Sequence, residues 1–272
     1  MKKFEDKTVW VTGASSGIGT ALAVAFADEG ARIILSGRRV DALENVADAL
    51  PTDSMVLPFE VTDFESLTSI VDQAWAWAKR VDILINNAGI SQRSFAIDTD
   101  PKVYTHLLNV DLISPIWLTQ LQLKAMADAG GAHIVAISSV AGRIGAPLRT
   151  AYSAAKHGLI GYMDALRSEV SLLHNINVTN VLPGSAKTNI ARNALTADGT
   201  LRGMSDANID DGENPIECAK IILNAVKNNI PELIFAKGME LELTEMRHKE
   251  PKKFFALAEQ LGAQLAREGI PQ

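Results

Sequence analysis

Short apolar runs alternate along the chain with stretches whose apolar residues recur at helical spacing. Residues 8–12 (TVWVT) are β-branched and aromatic and stop at Gly13, and 17–28 (GIGTALAVAFAD) then carries a helical pattern that Gly30 closes. The alternation continues: 32–35 reads as a strand, 41–50 as a helix, 54–59 as a strand, 64–79 as a helix, and 82–85 as a strand that ends at Asn86-Asn87-Ala88-Gly89. A long helical stretch over 101–127 precedes a strand at 133–138, and a helix over 150–173 precedes a strand at 177–182 that stops at Pro183-Gly184. Beyond them come a helix over 215–227, a strand at 232–235 and a charged helical tail over 251–267.

The strand interiors (IIL, ILI, HIVAI) are continuously apolar rather than alternating, which means burial on both faces. Strand, crossover helix and strand, repeated, predict an α/β fold: a Rossmann-type doubly wound parallel sheet of about seven strands flanked by helices. Crossovers in such sheets are right-handed, so the loops at the strand C-termini gather along one edge, where ligands bind. The pattern fits one domain over 1–272, with an irregular Asn/Asp/Thr/Gly-rich segment at 185–214 that reads as a substrate lid and a helical extension over 237–272. Residues 239–250 mix acidic and basic side chains, the pattern of a solvated face.

Composition narrows the function classes. The chain has 272 residues, is 47% hydrophobic and carries 26 Lys+Arg against 32 Asp+Glu, a net charge of −6. A mildly acidic balance argues against a nucleic-acid surface. The single cysteine, Cys218, rules out an intrachain disulfide and a thiolate metal cluster, and the histidines show no ligand spacing, so no metal is expected. No apolar run approaches the ~20 residues of a membrane helix, and 1–7 is too polar for a signal peptide, so a cytoplasmic protein is expected.

Thr12-Gly13-Ala14-Ser15-Ser16-Gly17-Ile18-Gly19 joins the first strand to the first helix. Glycines there permit a tight turn and close approach of the backbone to a pyrophosphate, which the helix N-terminus then attracts. After the second strand the sequence reads Ser36-Gly37-Arg38-Arg39. An acidic residue at that point would bind both ribose hydroxyls and select NAD; two guanidiniums instead suit a 2′-phosphate, so NADP(H) is expected over NAD(H). Tyr152 and Lys156 lie four apart at the start of a helix and so address one volume. A phenol ordinarily titrates at roughly pH 10, and a nearby cation stabilises the phenolate, which suits general acid/base work. Ser139, after a buried strand, is placed to donate to a substrate oxygen.

The glycine turn, Asn-Asn-Ala-Gly, Ser138-Ser139 and Tyr-x-x-x-Lys, in that order and spacing, resemble the short-chain dehydrogenase/reductase family, with landmarks from Thr12 to Thr188. The resemblance implies Tyr152 as catalytic acid/base, Ser139 as holder of the carbonyl or hydroxyl oxygen, and Lys156 as the residue that tunes the tyrosine and binds the nicotinamide ribose. It implies Asn109, in Asn109-Val110-Asp111, as the helix asparagine that anchors a relay water. It places Gly13, Ser15, Ser16, Gly17, Ile18, Gly19, Arg38, Arg39, Val61, Asn87, Ala88 and Gly89 along the adenosine and phosphates. Pro183, Gly184 and Thr188 fall on the nicotinamide side. Glu60 stands where family members often carry Asp beside the adenine, and Ser16 where many NADP-preferring members carry a basic residue.

The expected function is hydride transfer between NADP(H) and a carbonyl or secondary alcohol, run as a carbonyl reductase by a homodimer or homotetramer assembled through the helices at 101–127 and 150–173. The alternative is a non-catalytic NADP(H)-binding sensor on the same fold, which should have lost the tyrosine or the lysine. The substrate pocket is expected from 91–97, 140–149 and 185–214, where no head-group code is legible. Arg143 and Arg93 each read either as a contact for a substrate acid or as a solvated loop arginine. Trp75 and Trp77, two apart on one helix, cannot both face the core.

Overall fold

The computed structural model describes residues 2–270. Among these, seven strands form one sheet in the order β3-β2-β1-β4-β5-β6-β7, every pair parallel. They are β1 (Thr8–Thr12), β2 (Arg32–Ser36), β3 (Ser54–Val56), β4 (Ile83–Asn86), β5 (Ala132–Ile137), β6 (Ile176–Pro183) and β7 (Glu232–Phe235). The order reverses direction between β1 and β4, the switch point at which such sheets open a ligand crevice.

Both faces of the sheet are covered, as the unbroken apolar strands require. Val9, Val11, Ile33, Leu35, Ile83 and Ile85 point to one side and meet Leu22 and Phe26 of α1 (Gly17–Asp28) and Ile222 of α8 (Pro215–Lys227). Trp10, Ile34, Leu84 and Ile134 point to the other and meet Leu118 and Met126 of α5 (Ser114–Asp128) and Leu159 and Met163 of α6 (Thr150–His174). In register, Trp10 lies between Ile34 and Leu84, so consecutive residues of each strand serve opposite cores.

Three expectations need correction. The strand expected over 54–59 is regular only to Val56; Leu57 N–H and Phe59 N–H still donate to Leu35 and Gly37 carbonyls at 2.9 and 3.1 Å. Between them Pro58 has no N–H, which an edge strand tolerates because that position faces away from its partner. The stretch at 101–127 is not one α-helix. It is α4 (Pro101–Leu108), a π-helical turn (Asn109–Ile113) and α5. Pro115 explains the break: it has no N–H for the carbonyl of Asp111, and Ser114 N–H bonds Asn109 O instead. Last, 239–250 is more than a solvated face. It forms α9 (Met239–Lys249), whose Glu240 accepts from Ser185 N–H (2.8 Å) and Ser185 Oγ (2.6 Å) and so ties the extension to the start of the 185–214 segment. The remaining helices are α2 (Val40–Asp48), α3 (Leu67–Ala78), α7 (Ala207–Asp210) and α10 (Pro251–Glu268). Trp75 and Trp77 sit on the two flanks of α3, each half-buried: Trp75 donates to Gln122 Oε1 (3.2 Å), and Trp77 lies under the Arg32 guanidinium, 4.1 Å from its ring centroid.

Candidate active site

A cavity of about 1720 Å³ runs along the C-terminal edge of the sheet. The glycine turn forms one end. Gly13 and Gly17 have φ of +66° and +60°, the left-handed region that glycine enters without a Cβ clash. Asn87 fastens this turn to the end of β4: its Nδ2 donates to Thr12 O at 2.9 Å, while Asn87 N–H and Ala88 N–H both donate to Thr12 Oγ1 at 3.0 Å. Gly13, Ser15, Ser16, Gly17 and Ile18 line the cavity, as do Val61, Asn87, Ala88 and Gly89. Gly19 does not. A Cβ there would stand 2.2 Å from Gly13 O, so its place is behind the turn, where it lets α1 pack against the backbone.

Arg38 and Arg39 border the same end of the cavity. Arg39 Nη2 reaches back to Ser15 O (3.0 Å) and Ser15 Oγ (3.1 Å), and Arg38, 69% exposed, lies 3.5 Å from Glu60 Oε2. The two guanidiniums therefore flank the space between the glycine turn and the end of β3.

The second half of the cavity holds the chemistry-bearing side chains. Ser139 caps a short 3₁₀ turn (Val140–Gly142), and its Oγ accepts from Ala141 N–H at 3.1 Å. Tyr152 and Lys156 project from the first turns of α6, with Lys156 Nζ 5.6 Å from the centroid of the tyrosine ring. The ammonium is buried, donates to Ile137 O at 3.1 Å and lies 3.3 Å from Asp111 Oδ2. Burial works against its charge, but Asp111 and Tyr152 outweigh burial and raise its pKa. Burial also pushes the Asp111 carboxyl up, against the pull of Lys156 and of Ile90 N–H, which donates to Oδ1 at 2.8 Å.

Asn109 is not brought to this group. It is half-buried outside the cavity lining, and its carbonyl closes the π-helical turn. The residue that reaches the site is Asp111, two positions on, which the sequence reading quoted but gave no role. The extra residue of the π turn rotates the helix between them, and only the Pro115 in the following turn hinted at it. Asp111 is also what Gly89 accommodates: a Cβ there would lie 3.4 Å from both Asp111 Oδ1 and Lys156 Nζ.

Pro183, Gly184 and Thr188 line the cavity opposite. Thr188 crosses to the glycine turn, since a Cβ on Gly17 would sit 3.0 Å from Thr188 Cγ2. The segment 185–214 contributes much of this wall, joined by α9 and α10. Arg143 turns away and pairs with Glu232. Arg93, left open between a substrate contact and a solvated loop arginine, is buried against Asp206 of the 185–214 segment. Among the described residues no group of His, Cys, Asp and Glu could hold a metal ion.

A nicotinamide dinucleotide suits this cradle: two left-handed glycines keep the turn free of side chains, α1 begins at Gly17, and the arginines stand at its far side. The fold and the order of these landmarks define a class, and the comparison with known proteins agrees. The chain belongs to the short-chain dehydrogenase family, whose model matches residues 7–199, and is thus an oxidoreductase of the short-chain dehydrogenase/reductase (SDR) type. It is similar to dehydrogenase/reductase SDR family member 7B of Xenopus tropicalis, 37% identical over 262 residues, which is 93% of this chain and 84% of that one. In fold it resembles a short-chain dehydrogenase/reductase of Burkholderia phymatum solved with NAD, with TM-score 0.82 and 20% identity, covering 93% of this chain and 96% of that one. It also resembles an alcohol dehydrogenase of Thermococcus sibiricus complexed with 5-hydroxy-NADP, with TM-score 0.73 and 19% identity, covering 84% and 95% of the two chains.

Proposed function

We propose that the protein transfers a hydride between NADP(H) and a carbonyl or secondary-alcohol substrate, with Tyr152 as general acid/base. The observation that carries this reading is the shared wall of Ser139, Tyr152 and Lys156, with the buried ammonium 5.6 Å from the tyrosine ring. When bound, the nicotinamide cofactor supplies or accepts the hydride. Ser139 Oγ holds the substrate oxygen. Tyr152 gives its hydroxyl proton to that oxygen on reduction, or takes it on oxidation, and the Lys156 cation stabilises the phenolate in between. Asp111 and Ile137 O keep the ammonium in place.

Both NAD and an NADP derivative occur on this fold, so preference is set at the end of β2. Arg38 and Arg39 there, with no acid following the strand, support NADP(H). Trp117 and Leu121, one helical turn apart on α5 and both exposed, support assembly as a homodimer or homotetramer through that helix.

The test is nicotinamide absorbance with NADPH and with NADH across a panel of ketones and aldehydes. Turnover is expected with NADPH, should fall by about 10²–10⁴-fold in Tyr152→Phe, and should lose its NADPH preference in Arg38→Leu. Tight NADPH binding without turnover over the whole panel would instead favour the non-catalytic sensor.

A further inference from the structure

The cavity exceeds what one small-molecule ligand occupies: such pockets measure about 300–1,000 Å³, and this one about 1720 Å³. The glycine turn and the arginines after β2 take one end. The other end is walled by α9 and α10, which lie outside the residues 7–199 that the family model matches.

The lining residues of α10 are Phe254, Leu257, Ala258, Leu261 and Leu265, with the uncharged Gln260 and Gln264 between them. Their spacing of i, i+3, i+4, i+7 and i+11 is one face of a helix, and it runs for roughly 16 Å at the usual rise. The charged side chains of that helix, Lys252, Lys253, Glu259, Arg267 and Glu268, all fall outside the lining. Phe254 is buried, but Leu257 and Leu261 remain 41% and 44% exposed, so the stripe lacks apolar cover where it faces the cavity. On α9, Met239, Leu243 and Met246 stand at i, i+4 and i+7 on the same wall. The bonds from Ser185 to Glu240 hold α9 over this half of the cavity.

An apolar path also begins at the reacting tyrosine. Tyr152 packs against the cluster that contains Leu195, and Leu195 pairs across a β-bridge with Leu201; both leucines line the cavity. Ile144 and Leu148, from the loop after β5, line it as well. Arg93 is engaged by Asp206, Ser91 Oγ and Gln92 O, so it ties the wall together.

We infer that the α9–α10 face is the subsite for a long aliphatic chain on the substrate, whose carbonyl or hydroxyl carbon lies at Tyr152. The inference rests on the reductase reading for that second part. It makes the substrate class aliphatic ketones or secondary alcohols with an extended apolar tail. Each methylene that leaves water for this wall adds binding, because the hydrophobic effect scales with apolar area removed from water.

The test is a series of methyl ketones from butan-2-one to undecan-2-one, assayed with NADPH in wild type, Leu261→Glu and Phe255→Glu. In wild type kcat/KM should rise by about two- to fourfold per added methylene, so that undecan-2-one exceeds butan-2-one by about a hundredfold or more. Leu261→Glu should cut that ratio by about tenfold or more, whereas Phe255→Glu, exposed and outside the cavity lining, should keep it as in wild type. Turnover with a flat series would overturn the subsite and leave the reductase reading standing, as would equal losses of the ratio in both variants. A flat series together with a dimer that Leu261→Glu dissociates would assign the stripe to contact between copies of the chain instead. Should no ketone turn over, displacement of the apolar dye anilinonaphthalene sulfonate from the NADPH-loaded protein reads binding alone. Displacement that strengthens with chain length and weakens in Leu261→Glu would support the subsite and count against the reductase. Displacement that ignores chain length, or none at all, would overturn the subsite as well.

Discussion

Lys156 Nζ lies 3.3 Å from Asp111 Oδ2 in the protein interior, with Ile90 N–H donating to the other carboxylate oxygen. A buried ammonium needs a partner to remain charged, and this one draws on Asp111, Ile137 O and the face of Tyr152. Asp111 thus acts as a positioning residue through Lys156. Its carboxylate raises the lysine pKa, so Asp111→Asn should lower it and move the alkaline limb of the kcat/KM profile to lower pH. Asp111→Ala leaves the ammonium unpaired and should cost about 3–5 kcal/mol of stability, read by urea unfolding. An unchanged pH profile in Asp111→Asn would show that the lysine is held by the other two groups.

Gly19 tests the packing behind the phosphate turn. A Cβ there meets Gly13 O at 2.2 Å and Asn87 Nδ2 at 2.6 Å, both parts of the hydrogen-bonded turn itself. Gly19→Ala should therefore destabilise by about 1–3 kcal/mol and weaken NADPH binding, measured by urea unfolding and by cofactor fluorescence. Gly161, in the middle of α6, has no atom within 4 Å of such a Cβ. Gly161→Ala should stabilise by about 0.5–1 kcal/mol through the helix backbone alone. Equal effects at the two positions would contradict the steric account.

His133 makes stability depend on pH away from the site. It is buried in β5, and its Nε2 is 2.8 Å from Thr179 Oγ1, which itself donates to Ile230 O. That arrangement assigns the neutral ring a proton on Nε2. Burial, and then the charge of Arg167, lower its pKa to about 4. The unfolded chain binds a proton near pH 6.5 and the folded one does not until about 4, so stability should fall as pH drops through that window. The loss should reach about 3 kcal/mol by pH 4. Urea midpoints between pH 7 and 4 should show a shallower slope in His133→Asn than in wild type. Equal slopes would remove His133 from the acid limb.

The sequence by itself determined the sheet, its strands and the glycine turn. Unbroken apolar strands such as Ile83–Ile85 must be buried on both faces, and a parallel sheet between helices is the arrangement that does so. Tyr152 and Lys156 were legible too, because four residues along a helix is a local distance. The family resemblance placed Asn109 at the site and gave Asp111 no role; a π turn shifts every later side chain around the helix, and its hydrogen bonds leave no periodic mark in the sequence. It counted Gly19 with the cavity, although the backbone carbonyl it must clear belongs to a residue six positions back. The sequence left Arg93 open between substrate and solvent; its partner Asp206 is 113 residues away, and an ion pair across that separation exists only once the chain has folded. Spacing within one element sets which side chains share a face. Which faces meet across elements is decided by packing, and there the tertiary structure supplied Asp111 and the pairing of Arg93 with Asp206.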